Sequence, residues 1–168
     1  LPLDSHATLG NNAAIADLMG LQNIEALDST EKHPIGNIGY LNNPIHPDDF
    51  KAKLQSIFDF SVIHLPCYKT TIQKVGFCTG GAQDFIHKAA QEKCDAYISG
   101  EVSERTFYEA KELDLHYFAC GHHATERYGV QQLAKGTQPH THINQLVLHL
   151  HHLLPIQCLP EFAHANST

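Results

Sequence analysis

The chain is short of positive charge. Its 168 residues carry 11 Lys and Arg against 18 Asp and Glu, a formal net charge of −7. Sequence-independent binding to nucleic-acid phosphates needs clustered Lys and Arg, so this balance argues against a nucleic-acid partner. No run of about 18 apolar residues occurs, which argues against a membrane-spanning helix. No basic, apolar, small-residue leader stands at the front, so secretion has no support. The chain opens with Leu1 rather than Met, as a processing point or a truncation would leave it. Cys-x-x-Cys spacing is absent among Cys67, Cys78, Cys94, Cys120 and Cys158, which removes a zinc ribbon. Buried, reduced thiols and a cytoplasmic compartment are expected instead. No Gly-x-Ser-x-Gly elbow occurs. The turn Thr79-Gly80-Gly81-Ala82 lacks both the full Gly-x-Gly-x-x-Gly and the Walker ending, leaving a tight turn or a simple anion cradle.

What the chain does have is 42% hydrophobic residues, enough for a core, and fourteen histidines. Its length fits one domain or two small interlocked ones. Asn11-Asn12 can cap a helix through Met19, stopped by Gly20. Ile35–Leu41 reads as a strand that Asn42-Asn43-Pro44 breaks. A helix from Pro47 presents Phe50, Leu54 and Ile57 as its inner stripe. Ser61–Leu65 reads as a strand.

From Val75 the pattern becomes regular. Strands at Val75–Cys78, Asp95–Ser99 and His116–Cys120 alternate with helices at Ala82–Lys93, Ser103–Leu113 and about His123–Lys135. This order predicts parallel strands with right-handed crossovers, whose glycine-terminated ends gather on one edge. After Lys135 the texture changes. His140, His142, His149, His151, His152 and His164 crowd a stretch whose only charged residue from Gly136 onward is Glu161. Residues 136–168 are therefore expected to be an atypical tail.

The chemistry concentrates at Gly121-His122-His123-Ala124-Thr125-Glu126. His122 and Glu126, four apart, share one helix face at the end of a strand, where open α/β sheets place their sites. They are candidate metal ligands. His123 points elsewhere and is a candidate capping, supporting or proton-shuttling group. Glu101, in the equivalent turn one unit earlier, is a candidate general base near a metal. Asp4, in the segment Leu1-Pro2-Leu3-Asp4-Ser5-His6, is a candidate bridging carboxylate.

Four blocks together resemble one family. They are Leu1-Pro2-Leu3-Asp4-Ser5-His6 with Leu9-Gly10-Asn11-Asn12, Cys78-Thr79-Gly80-Gly81-Ala82, Ile98-Ser99-Gly100-Glu101-Val102-Ser103-Glu104, and Gly121-His122-His123-Ala124-Thr125-Glu126-Arg127. The chain resembles the GTP cyclohydrolase 1 type 2 homologs, also called dinuclear metal centre or Nif-three-like proteins, and in pattern their YbgI branch. The resemblance runs from Leu1 to Lys135. It implies a Nif-three-like α/β fold of short, mostly parallel strands with flanking helices, partial here. Residues 1–135 would form the domain, with about 30–70 as a smaller inserted subdomain.

The resemblance further implies a ring-like homohexamer and two divalent ions per subunit (zinc, manganese, iron or nickel). Asp4, His122 and Glu126 would be metal ligands, with Glu101 and His123 as catalytic candidates. The implied activity is metal-dependent hydrolysis of a nucleotide-like small molecule. The alternatives are a non-catalytic metal-binding scaffold and an inactive fragment. The family's adjacent His-His pair precedes the Leu-Pro-Leu-Asp block, where this chain begins, so binding of one ion is the expectation from these three ligands alone.

Overall fold

The computed structural model describes residue 6, residues 8–31 and residues 34–136. One six-stranded sheet organises them. Its strands are β1 (Gln22–Ala26), β2 (Asn37–Ile45), β3 (Ile63–Leu65), β4 (Ile72–Phe77), β5 (Ala96–Ser99) and β6 (His116–Ala119). Their spatial order is β1-β2-β4-β5-β6-β3. The helices are α1 (Asn11–Met19), α2 (Pro47–Phe58), α3 (Ile86–Gln91), α4 (Glu104–Glu112) and α5 (His122–Gly136), and a 3-10 turn (Gln83–Phe85) leads into α3.

The central strands β4, β5 and β6 run parallel, as the alternation of strands and helices requires. Parallel pairing is confined to this centre. The pairs β1–β2, β2–β4 and β3–β6 are antiparallel, so the expected mostly parallel sheet is corrected to a mixed one. Such sheets often carry antiparallel strands at their edges.

Every residue of β5 and β6 is buried, and side chains alternate between two cores. Ala96, Ile98 and Phe118 join Phe50, Leu54 and Phe58 of α2, Ile15 and Met19 of α1, and Ala124 of α5. Tyr97, Tyr117 and Ala119 join Ile86 and Ala89 of α3 and Ala110 of α4. Both crossovers thus put their helices on one face, while α5 turns to the opposite face. The chain changes sides just after β6, where α5 begins. Residues 37–65, which span most of the stretch expected as a smaller subdomain, add β2, α2 and β3 to this same sheet and core.

Two local expectations are corrected. Asn42-Asn43-Pro44 does not break its strand, because β2 continues to Ile45. The β2–β4 register shifts between Tyr40 and Ile45, and residues 42–44 are exposed. The pairing with β1 reaches only Tyr40, so Pro44 lies where a proline removes no needed hydrogen bond. Nor do Asn11 and Asn12 cap α1. Gly10 is the N-cap, without a side-chain bond, and both asparagines are buried in the first turn. The reason is tertiary: Asn11 Oδ1 accepts from Gly129 N in α5, and Asn12 Oδ1 accepts from Thr79 N after β4, at 3.0 Å. Asn12 Nδ2 also donates to the Ile35 carbonyl. These bonds pin the start of α1 between β4 and α5.

Among the described residues, Cys78, Cys94 and Cys120 are buried thiols outside any disulfide, and Cys67 is partly exposed. Among the described residues no helix is long and apolar enough to cross a membrane. The tail from residue 137, with its six histidines, lies outside the described residues.

Candidate metal centre

The C-terminal ends of β4, β5 and β6 extend beyond their ladders and converge. Cys78 N donates to Ile98 O at 3.0 Å, Gly100 N to Gly80 O at 2.8 Å, and Cys120 N to Ser99 O at 2.8 Å. This brings three turns together: Thr79–Ala82, Gly100–Glu101 and Cys120–His122. The Thr79–Ala82 amides are largely committed inside the protein. Thr79 N bonds Asn12, Gly80 N donates to Thr125 Oγ1 at 3.1 Å, and Ala82 N donates to Ser99 Oγ at 3.2 Å. The turn is a structural joint, not an open anion cradle. Thr125 is fully buried and locks it to the first turn of α5, donating in turn to backbone carbonyls of Gly121 and His122.

Over this joint lie His122, Glu126 and Glu101. His122 Nε2 stands 3.2 Å from Glu126 Oε2, the i, i+4 neighbour expected on one helix face. His122 Nδ1 stands 2.6 Å from Glu101 Oε1. All three side chains are partly open to solvent, from 32% for Glu126 to 48% for His122. The hydrogen bond His122 Nδ1 donates to the Glu101 carboxylate, and more weakly the Glu126 carboxylate, raise the His122 pKa above its ordinary value, with partial burial opposing.

Two consecutive glycines seat the two carboxylates. A Cβ on Gly80 would overlap Glu126 Oε1 and stand 3.2 Å from His122 Nε2. A Cβ on Gly81 would stand 3.3 Å from Glu101 Oε2. The Gly80 backbone is also left-handed, at φ 69°, a conformation that favours glycine. Sequence spacing exposed the His122–Glu126 pair. It did not expose the bond from His122 to Glu101, which depends on how β5 and β6 align.

The other predicted residues fall as follows. His123 is exposed. Asp4 lies outside the described residues. The nearby His6 ring accepts from Leu9 N at 3.1 Å and Thr8 N at 3.3 Å, shaping the turn that enters α1.

A divalent cation fits this donor set in part. Two donors each about 2.0–2.2 Å from an ion stand about 3 Å apart at a right angle, and His122 Nε2 and Glu126 Oε2 match that separation. The bare backbone of Gly80 lets the Glu126 carboxylate and His122 Nε2 lie closer to it than any side chain there would allow. Imidazole with carboxylate suits zinc, manganese, iron or nickel. Among the described residues, however, no three His, Cys, Asp or Glu side chains form a group that could hold an ion. Glu101 occupies the opposite ring nitrogen and does not add a third donor at Nε2.

A profile of the Duf34/NIF3 family (NGG1p interacting factor 3) matches residues 1–152. The chain belongs to this family. The match continues past Lys135, into the His-rich stretch. Among curated relatives, the Haemophilus influenzae protein named GTP cyclohydrolase 1 type 2 homolog is 42% identical over 137 residues, covering 80% of this chain and 54% of the relative. The Pasteurella multocida protein of the same name is 42% identical over 144 residues, covering 83% of this chain and 56% of the relative. The chain spans about half the length of the curated relatives it matches. Among solved structures, protein ybgI, described as of unknown function, superposes with a TM-score of 0.75 at 37% identity, over 80% of this chain and 53% of that one. Reduced HcgD from Methanocaldococcus jannaschii superposes with a TM-score of 0.67 at 24% identity, over 80% of this chain and 52% of that one, which supports the fold. The Nif-three-like α/β fold expected from the sequence is therefore the fold of this chain.

Proposed function

We propose that this Duf34/NIF3 chain binds a divalent cation between His122 Nε2 and Glu126, with Asp4 as a further ligand, and uses it to hydrolyse a nucleotide-like substrate. The observation that carries the proposal is the pairing of imidazole and carboxylate, 3.2 Å apart, packed directly over the bare backbone of Gly80. Asp4 is included because its block, Leu1-Pro2-Leu3-Asp4-Ser5-His6, resembles the family's, and the resemblance implies a metal ligand at that position. One ion is expected from these three ligands, and a second would need donors beyond them.

A bound divalent cation lowers the pKa of water and polarises a substrate oxygen. The chain's own residues then supply orientation and proton handling. Glu126 and His122 would fix the ion's place from the first turns of α5, which Thr125 ties to the turn after β4. His123, exposed one position further on, is available to carry a proton. The nucleotide-like substrate is inferred from the relatives named GTP cyclohydrolase 1 type 2 homolog. A ring-like homohexamer and a cytoplasmic setting belong to the same proposal.

The open setting of the site favours a second reading, in which the metal serves assembly or docking without turnover, since His122 and Glu101 are close to half exposed. One experiment separates the two. Purified protein is loaded with zinc or manganese, bound ions are counted, and GTP is followed by absorbance and product analysis. Metal-dependent GTP consumption that disappears in His122→Gln supports hydrolysis. Bound metal with no turnover removes the hydrolase and leaves the scaffold.

A further inference from the structure

Glu101 sits where a general base would be sought, at a strand end close to a candidate ion, but its carboxylate is already engaged. Oε1 lies 2.6 Å from His122 Nδ1, the ring nitrogen that does not face Glu126. Its position is held from three directions. The bare backbone of Gly81 seats the carboxylate, Tyr117 OH donates to the Glu101 carbonyl, and the ladder bond from Gly100 N to Gly80 O, 2.8 Å, sets the turn. Tyr117 is fully buried, so this anchor belongs to the core and not to the mobile surface.

A neutral imidazole carries its single proton on one nitrogen or the other, and only the bare nitrogen can ligate a cation. A carboxylate at Nδ1 holds the proton there. That leaves Nε2, 3.2 Å from Glu126 Oε2, as the nitrogen that gives up its proton when a cation binds. Histidine ligands in metal sites regularly rely on such a partner on the far ring nitrogen, which also makes the ligating nitrogen more basic. We propose that Glu101 is the positioning residue of His122: by accepting the Nδ1 proton it selects the tautomer and ring orientation in which Nε2 meets the cation shared with Glu126. The inference rests on the metal-binding reading above and gives Glu101 a role in ion affinity in place of direct proton transfer with substrate.

The test uses the full chain with zinc as the probe. Zinc affinity is measured by chelator competition for wild type, Glu101→Gln, Glu101→Ala and His122→Gln, the last giving the background from the His-rich tail. In parallel, imidazole nitrogen-15 NMR reads the His122 tautomer, with its signals assigned by their loss in His122→Gln. Wild type is expected to bind zinc above the His122→Gln background, with His122 protonated at Nδ1 and bound through Nε2. Glu101→Ala is expected to lose about 10–100-fold in affinity, the usual range for an outer-shell partner. Its zinc-free His122 should show a mixture of tautomers. Glu101→Gln keeps an acceptor oxygen for Nδ1–H and should recover most of the affinity and the wild-type tautomer, an outcome that simple loss of packing would not give. Circular dichroism confirms that each variant is folded. Zinc that binds wild type and Glu101→Ala equally, with the tautomer unchanged, overturns the positioning role alone. Wild type binding no more zinc than His122→Gln overturns the metal reading and this inference with it.

Discussion

Gly80→Ala separates the strain of a left-handed backbone from the geometry of the site. At φ 69° an alanine pays the left-handed penalty of roughly 1–2 kcal/mol. For a chain of this size each kcal/mol lowers Tm by about 2–4 °C, so a fall of roughly 2–8 °C is expected. The new methyl group also overlaps Glu126 Oε1 and presses on His122 Nε2. Because the carboxylate is the free end of a flexible side chain, it can swing away with little further loss of stability. The swing, however, takes it off the ion. Gly20→Ala is the control. Gly20 has φ 67° at the end of α1, and a Cβ there meets nothing within 4 Å. Both variants should therefore lose similar stability in thermal melts. Only Gly80→Ala should lose zinc affinity, by at least about tenfold, the lower end of what even an outer-shell disturbance costs. Equal zinc affinity in the two variants would refute the idea that the bare backbone of Gly80 seats Glu126 for the ion.

Three further outcomes follow from the same contacts. Thr125→Val leaves the buried Gly80 N–H without its acceptor and should lower stability by about 1–3 kcal/mol, measured by denaturant midpoint, with Thr125→Ser recovering most of it. Asn12→Ala removes both the acceptor for Thr79 N and the donor to Ile35 O, and should cost about 2 kcal/mol or more by the same measurement, while weakening zinc binding by loosening α1. Burial, with the His116 ring beside it, lowers the His64 pKa to about 4. Burial also lowers that of His116, whose Nδ1 lies 3.1 Å from His64 Nε2. A depressed folded-state value means that stability is complete above the ordinary value near 6.5 and is lost as pH falls toward 4. That loss should be on the order of 2 kcal/mol after allowing for solvent screening, and urea melts at pH 7 and 4.5 should show a smaller difference in His64→Gln.

The regular half of the fold was legible because its signals were local. Each central strand is a short apolar run closed by a turn, and each helix repeats at 3.6 residues, so the order from Val75 onward could be read directly. Ser103, read as the start of α4, caps it with Thr106 as partner. The rest depended on distant partners. Strand β1, Gln-Asn-Ile-Glu-Ala, is almost wholly exposed and carries a left-handed Asn23, so it has neither alternation nor an apolar run to reveal it. Its existence comes from pairing with β2. Asn11 and Asn12 have the chemistry of helix caps, and only the packing of α1 against α5 and β4 diverts them to other partners. At the site, spacing within one helix revealed His122 and Glu126. Glu101 lies 21 residues earlier, and its bond to His122 requires β5 and β6 to be paired in their actual register.

Where a bound ion lies is the most direct test of the metal centre. A crystal of the full chain grown with zinc, measured at the zinc absorption edge, locates each ion from its anomalous signal. The account predicts a peak within coordinating distance, about 2.0–2.2 Å, of His122 Nε2 and a Glu126 oxygen, with Asp4 completing the ligands and Glu101 on His122 Nδ1. Peaks confined to the histidines after Lys135, with none between His122 and Glu126, would contradict it.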